Sequence, residues 1–176
     1  MAVKQFNLNN GQRAERKLLV TVAEWTETVG TTTTTVREIL GTRTEDSSIE
    51  YNSDIETTTD ILGNNYTDLN KTQPQQTFDP YLVLGGSKLG ALLNDIRRRN
   101  ALSELSQFTM YIITLFTGEA GAYDTEKHTD CTITYDSIGG DTNVNFPITV
   151  YFSNKITTGT IDSMTENFVF TPDVTI

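Results

Sequence analysis

The chain has 176 residues and a formal net charge of −10. That length fits one domain, residues 1–176, with a core of its own. So negative a balance disfavours tight nucleic-acid binding, which needs cations to displace the counterions of phosphate. About one residue in six is threonine, which favours strands and is poor inside helices, so the composition predicts a mainly β fold.

The charge is uneven. Residues 1–17 carry +3, residues 18–70 carry −8, residues 88–99 carry +3 and residues 103–176 carry −8. Two basic islands in an acidic chain suit either an ordinary solvated surface of mixed charge or self-association, in which a positive patch on one copy meets a negative patch on the next. Cys131 is the only cysteine and His128 the only histidine, so no intrachain disulfide, His pair or two-histidine relay can form. The first ten residues have no apolar core segment and Met110–Ile113 is too short to span a bilayer, which predicts synthesis in the cytosol and no membrane partner.

In chain order, residues 1–15 are polar and predict a flexible arm in which Phe6 and Leu8 alternate. Leu18–Trp25 alternates as a strand. Glu27–Thr35, with Gly30 followed by five threonines, predicts a solvated loop or hairpin, and Val36–Leu40 a short strand. From residue 48 the pattern alternates again, with Ile49, Tyr51, Ser53 and Ile55 on one face and Ser48, Glu50, Asn52, Asp54 and Glu56 on the other. A long polar excursion, Thr57–Lys71, turns at Leu62-Gly63-Asn64-Asn65, and a second extended run, Gln73–Phe78, stops at Asp79-Pro80. A loop of that length in a small domain is usually functional.

Ser87 is a suitable N-cap for a helix over about residues 88–100, with Leu89, Leu92, Leu93 and Ile96 on one face and Arg97, Arg98 and Arg99 in the last turn, where cations suit the helix dipole. Gly85-Gly86-Ser87-Lys88 lacks the order of a phosphate loop and reads as a helix start. Phe108–Phe116 is apolar on both faces and predicts a central strand, followed by an acidic loop over Gly118–Thr129. Cys131, Ile133 and Tyr135 mark the next strand. Val144, Phe146, Ile148, Val150 and Phe152 mark another, in which Pro147 predicts an edge position or a bulge. Ile156–Ile161 and Phe168–Phe170 close the sheet. The expected architecture is a β-sandwich or barrel of two packed antiparallel sheets flanked by one helix.

No catalytic constellation emerges, so the chain is expected not to be an enzyme and to need no cofactor. His128 reads as an exposed spectator in a charged loop. Strand alternation points it away from Cys131, which reads as a small buried hydrophobe. Asp54, Glu56 and Asp60 lack the spacing of a calcium loop, so no metal is expected.

The segments SIEYNSDIETTTDILGNNYTD, QTFDP and GSKLGALLNDIRRRNALSELSQF, with VNFPITVYFSNKITTGTID near the C-terminus, resemble the major tail tube proteins of tailed bacteriophages and phage-derived particles. The resemblance spans residues 37–172, is weaker in the N-terminal third, and departs from the family at Ser53, where relatives carry proline. It implies a virion tail subunit assembled in the host cytoplasm. Rings of six copies stack head to tail into a hollow tube, each copy giving an inner sheet to a barrel around the lumen. Partners are then other copies, tape-measure, tail-terminator and baseplate proteins, with DNA as transient, non-binding cargo. On that reading Glu50, Asn52, Asp54 and Glu56 are lumen candidates, since carboxylates repel phosphate. Asp60, Ile61, Leu62, Gly63, Asn64, Asn65 and Tyr66 form a candidate inter-subunit or inter-ring loop, and Arg97, Arg98 and Arg99 a candidate inter-subunit basic patch. The alternative is a monomeric β-sandwich binding module of adhesin or carbohydrate-binding type, which would want an exposed aromatic cluster; Trp25, the only tryptophan, falls in a strand.

Overall fold

The computed structural model describes residues 6–44 and 46–173. Its elements are β1 (Leu19–Val29), β2 (Thr32–Ile39), β3 (Ile49–Glu50), β4 (Asp54–Thr59), β5 (Asn65–Lys71), β6 (Gln75–Phe78), α1 (Lys88–Arg99), β7 (Phe108–Glu119), β8 (Ala122–Tyr135), β9 (Ile148–Tyr151), β10 (Ile156–Ile161) and β11 (Phe170–Pro172). The fold is mainly β with one flanking helix, and every pairing is antiparallel.

Nine strands share one hydrogen-bonded sheet, and β8 holds it together. The first half of β8 pairs with β7 on one side and β10 on the other, extending a layer ordered β2-β1-β7-β8-β10-β11. Its second half pairs with β9, opening a second layer ordered β8-β9-β6-β3. The change comes at Asp130, which has a positive φ of 58°. There three steps of β8 oppose two of β7, since Met110 faces His128 and Phe108 faces Cys131. Such a bulge bends a strand and raises its twist.

The main core lies between these layers and α1. Ala23 and Trp25 of β1, Phe108 and Met110 of β7, Ile133 of β8, Val150 of β9 and Phe78 of β6 meet Leu89, Leu93 and Ile96 of the helix in one buried cluster. The other face of the first layer carries a smaller cluster of Val22, Tyr111, Ile113, Ile161 and Phe168. Strand β1 therefore buries both faces.

The helix follows its sequence signals. The Ser87 hydroxyl accepts from the Gly90 amide at 3.1 Å, and Asn100 closes the C-terminus in a left-handed conformation. Its N-terminus is also occupied by a carboxylate from a distant strand. Glu38 accepts from the Lys88 amide at 2.6 Å, the Leu89 amide at 2.9 Å, the Ser87 hydroxyl at 3.0 Å and the Tyr81 hydroxyl at 2.8 Å.

Several expectations need correction. The threonine run, expected as a solvated loop or hairpin, is the hairpin: β1 and β2 pair as far as Val29 with Thr32, around a turn at Gly30-Thr31, and its threonines are exposed. The expected acidic loop over Gly118–Thr129 is mostly the first half of β8, after a turn at Ala120-Gly121. Polar residues buried there, Asp124, Thr125 and His128, hide the apolar alternation. The run from Val144 to Phe152 is strand only from Ile148, and β9 lies between β8 and β6 rather than at an edge. Pro147 stands just before the ladder, where its missing N–H costs nothing. The apolar face of residues 49–55 is not one strand, because Asn52 breaks it with a φ of 40°. The arm is described only from Phe6, which stacks edge-on against Phe116 of its own chain while the Asn7 amide donates to the Phe116 carbonyl.

Candidate functional site

Residues 54–71 form a second, two-stranded sheet of β4 and β5 outside the sandwich. The expected polar excursion is thus a hairpin, and every residue of both strands is exposed. Its base is closed by the Gln73 amide donating to the Tyr51 carbonyl at 2.9 Å and the Asn52 side chain donating to the Gln73 carbonyl at 3.2 Å. Asn52 tolerates its left-handed backbone because its short amide bonds locally.

Directly paired residues share a face of an antiparallel ladder. One face carries Ile55 opposite Leu69, Thr57 opposite Thr67 and Thr59 opposite Asn65; the other carries Glu56 opposite Asp68 and Thr58 opposite Tyr66. The first face is apolar near the base and hydroxyl-rich above it, with Thr57 and Thr67 hydroxyls 3.3 Å apart. The second sets two carboxylates across from one another, a pairing that weakens a hairpin. An isolated two-stranded hairpin is marginal in water.

The tip is held from within. The Asp60 carboxylate accepts from the Leu62 amide at 2.8 Å, the Asn64 amide at 2.9 Å, the Asn64 side chain at 3.0 Å and the Tyr66 hydroxyl at 3.1 Å. These bonds, those from Asn64 foremost, hold its pKa below the usual carboxylate value. With Asp60 facing inward, Ile61 and Leu62 point out at 102% and 81% exposure. The candidate loop of Asp60, Ile61, Leu62, Gly63, Asn64, Asn65 and Tyr66 is therefore a braced β-turn presenting two aliphatic side chains.

The lumen candidates separate. Asp54 and Glu56 stand on the hairpin, Asn52 at its hinge, and Glu50 on β3 in the second layer. A polar surface that sequence reasoning missed surrounds Glu50. Thr132, Tyr151, Gln75 and Glu50 form one row across the layer, and Thr134, Thr149 and Thr77 the next. They are the residues facing away from the core, where Ile133, Val150 and Phe78 point. Thr77 and Thr149 hydroxyls lie 3.1 Å apart, and Gln75 donates to Glu50 at 3.4 Å. The signal was present as period two in Thr132–Thr134 and Thr149–Tyr151, but it outlines a surface only once the register is known.

The three arginines also divide. Arg99 is committed within its own chain, bonded to both oxygens of Glu104 at 2.8 Å and to Asp95 at 2.7 Å. Glu104 and Asp95 push its pKa up, and Arg99 in turn holds Glu104 below its usual value. Arg97 reaches Asn94 at 3.0 Å, and both Arg97 and Arg98 are exposed, so the basic surface narrows to those two.

His128 is buried at 2% exposure, not an exposed spectator. Its Nδ1 lies 3.0 Å from the Ser153 carbonyl, and its ring packs edge-on against Phe152. The bulge at Asp130 also restores His128 and Cys131 to the same face of β8, against the expectation from simple alternation. The Cys131 thiol contacts the His128 carbonyl at 3.5 Å, and burial pushes its pKa up, the opposite of an activated nucleophile.

No protein-family model matches the chain, and no curated protein matches it in sequence. Among the described residues, no helix is long and apolar enough to cross a membrane.

Proposed function

We propose that the chain is a structural subunit of a phage tail tube, in which six-membered rings of identical copies stack head to tail around a lumen that conducts DNA. The observation that carries this reading is the β4–β5 hairpin. It projects from an edge strand, is exposed along its whole length and bears Ile55, Ile61, Leu62, Tyr66 and Leu69, all of them more than half exposed. A single hairpin so built gains order by packing on a neighbour. One chain that carries both a projecting element and the surface that receives it makes a heterologous contact, which propagates into a ring or filament.

The outer face of the second layer suits the lumen. Its threonine and glutamine side chains and Glu50 offer no cation to phosphate, so DNA passes without the counterion release that would hold it. Within this reading Glu50 is the lumen carboxylate on the sheet, while Asp54 and Glu56 go with the hairpin to the subunit contacts. Arg97 and Arg98 offer a basic surface to an acidic neighbour. Tape-measure, terminator and baseplate proteins would meet the interior and the two ends of the stack. The monomeric binding module has less support, since Trp25 is buried at 5% exposure against Phe108 and gives no sugar-stacking platform.

Negative-stain electron microscopy over a concentration series tests the proposal. Rings, or hollow tubes with a regular axial repeat, are the expected result. A monomer at every concentration, including after seeding with tail-tip or terminator protein, contradicts it.

A further inference from the structure

The hairpin tip is a knob, and the same chain carries a hole of matching chemistry. A cavity of about 300 Å³ opens between the start of β1, the end of β2 and β6. Its lining is mixed: apolar Leu19, Val20, Ile39, Leu40 and Phe78 stand beside polar Thr21, Thr44 and Ser47, with Arg16 and Lys17 also on it. Arg16 is fixed in place, donating to the carbonyls of Leu19 and Ser47. The volume lies at the low end of ligand pockets, about 300–1,000 Å³, and leaves room for two branched aliphatic side chains.

The knob is Ile61-Leu62. It is aimed outward by the Asp60 carboxylate, so little conformational freedom remains to be lost on docking. The hairpin behind it, residues 54–71, carries Asp54, Glu56, Asp60 and Asp68 against Lys71, a net charge of −3. Lys17 already pairs with Glu15 at 2.6 Å, so Arg16 and Lys17 against Glu15 leave a net +1 beside the cavity to meet the acidic stem. At about 3.3 Å per residue, the six residues of β4 carry the tip about 20 Å from its base, far enough to leave the parent molecule.

From these matches we infer that Ile61 and Leu62 of one copy insert into the Arg16- and Lys17-lined cavity of the next copy. This contact is heterologous: the knob and the hole lie on different parts of the surface, so each copy is held and holds in turn. Two aliphatic anchors entering a pocket with apolar lining and adjacent charge have the anatomy of an interface hot spot. The inference rests on the tube reading and names the surface that receives the hairpin.

The experiment compares the unaltered chain with the double variant I61S/L62S and with L62C/K17C. Both tip residues are exposed, so I61S/L62S leaves the monomer fold and its unfolding curve unchanged. The expected result is tubes from the unaltered chain and a critical concentration raised by at least about tenfold in I61S/L62S. L62C/K17C, oxidised after assembly, gives a ladder of covalent multimers, whereas L62C alone stops at dimers; the native Cys131 is buried and stays silent. If the unaltered chain forms tubes and I61S/L62S forms them at the same concentration, or the ladder is absent from assembled L62C/K17C, the knob-and-hole contact is overturned while the tube reading stands. If the unaltered chain never assembles, both fall.

Discussion

Glu38 offers a quantitative test of how the helix is held. It stands opposite Ala23 on β2 and gives its carboxylate to the first turn of α1. In Glu38→Ala, the exposed Lys88 amide turns to water at little cost. The half-buried Leu89 amide loses its acceptor, worth about 1–2 kcal/mol. The buried Tyr81 hydroxyl keeps Ser87 at 3.0 Å, so its loss is smaller, roughly 0.5–1 kcal/mol. Removing an anion from the positive end of the helix dipole adds about 0.5–1 kcal/mol. The sum is a destabilisation of about 2–4 kcal/mol. Because Leu89, Leu93 and Ile96 belong to the main core, the loss falls on the whole fold. With a urea slope of roughly 2 kcal/mol/M, the midpoint drops by about 1–2 M, read by tryptophan fluorescence below any assembly concentration. Glu38→Gln keeps one oxygen for the amides and costs about 1 kcal/mol. A Glu38→Ala midpoint indistinguishable from that of the unaltered chain would mean that the helix start is stabilised by Ser87 alone and that the carboxylate adds nothing.

Three further outcomes follow from the same contacts. The Asp60 pKa is depressed in the folded state, so its contribution is full above the unfolded value near 3.8 and is lost as pH falls through the folded value; amide resonances of Leu62 and Asn64 should shift toward random coil on acidification while core amides stay put, and a tip unmoved to about pH 2 contradicts the brace. Burial raises the Cys131 thiol, so a thiol reagent should label the native protein only as fast as it opens and the urea-unfolded chain at once; rapid native labelling would show the thiol to be accessible. Glu50→Lys should leave tube morphology intact but make the tubes retain short DNA in a salt-sensitive way, and tubes that release DNA as freely as before would remove Glu50 from the lumen.

What the sequence made legible were the elements whose signals are local. The 3.6-residue spacing of Leu89, Leu92, Leu93 and Ile96 and the cap at Ser87 placed α1 closely. The apolar run from Phe108 placed β7, although its polar end to Glu119 was missed. Several failures share one cause: the partner that made a residue structural lay far along the chain. Asp124, Thr125 and His128 read as loop because their polarity is buried between β7 and β10, which nothing local reveals. The threonines of β2 need no core, because their ladder to β1 and their hydroxyl contacts suffice. Glu38 reaches a helix fifty residues ahead, a contact invisible in any window. The hairpin tip was singled out correctly by its turn chemistry, but its strands were not, since a fully exposed pair of strands has no apolar alternation to show. The lumen candidates were drawn as one strand face, and a single left-handed Asn52 divided them between two elements.

The double membership of β8 has a consequence for synthesis. One flank of its first half is covered by β7, which precedes it, but the other waits for β10, which follows only after the whole of β9. Until β10, which ends at Ile161, has left the ribosome, the middle of the protein presents an open strand edge, the kind that pairs indiscriminately with other chains. A chain cut short after β9 would have the hairpin, the helix and most of the main core, yet it would carry that edge permanently. Self-association of such a fragment would run through the wrong surface, and translation through β10 becomes the step that decides between an ordered assembly and an aggregate.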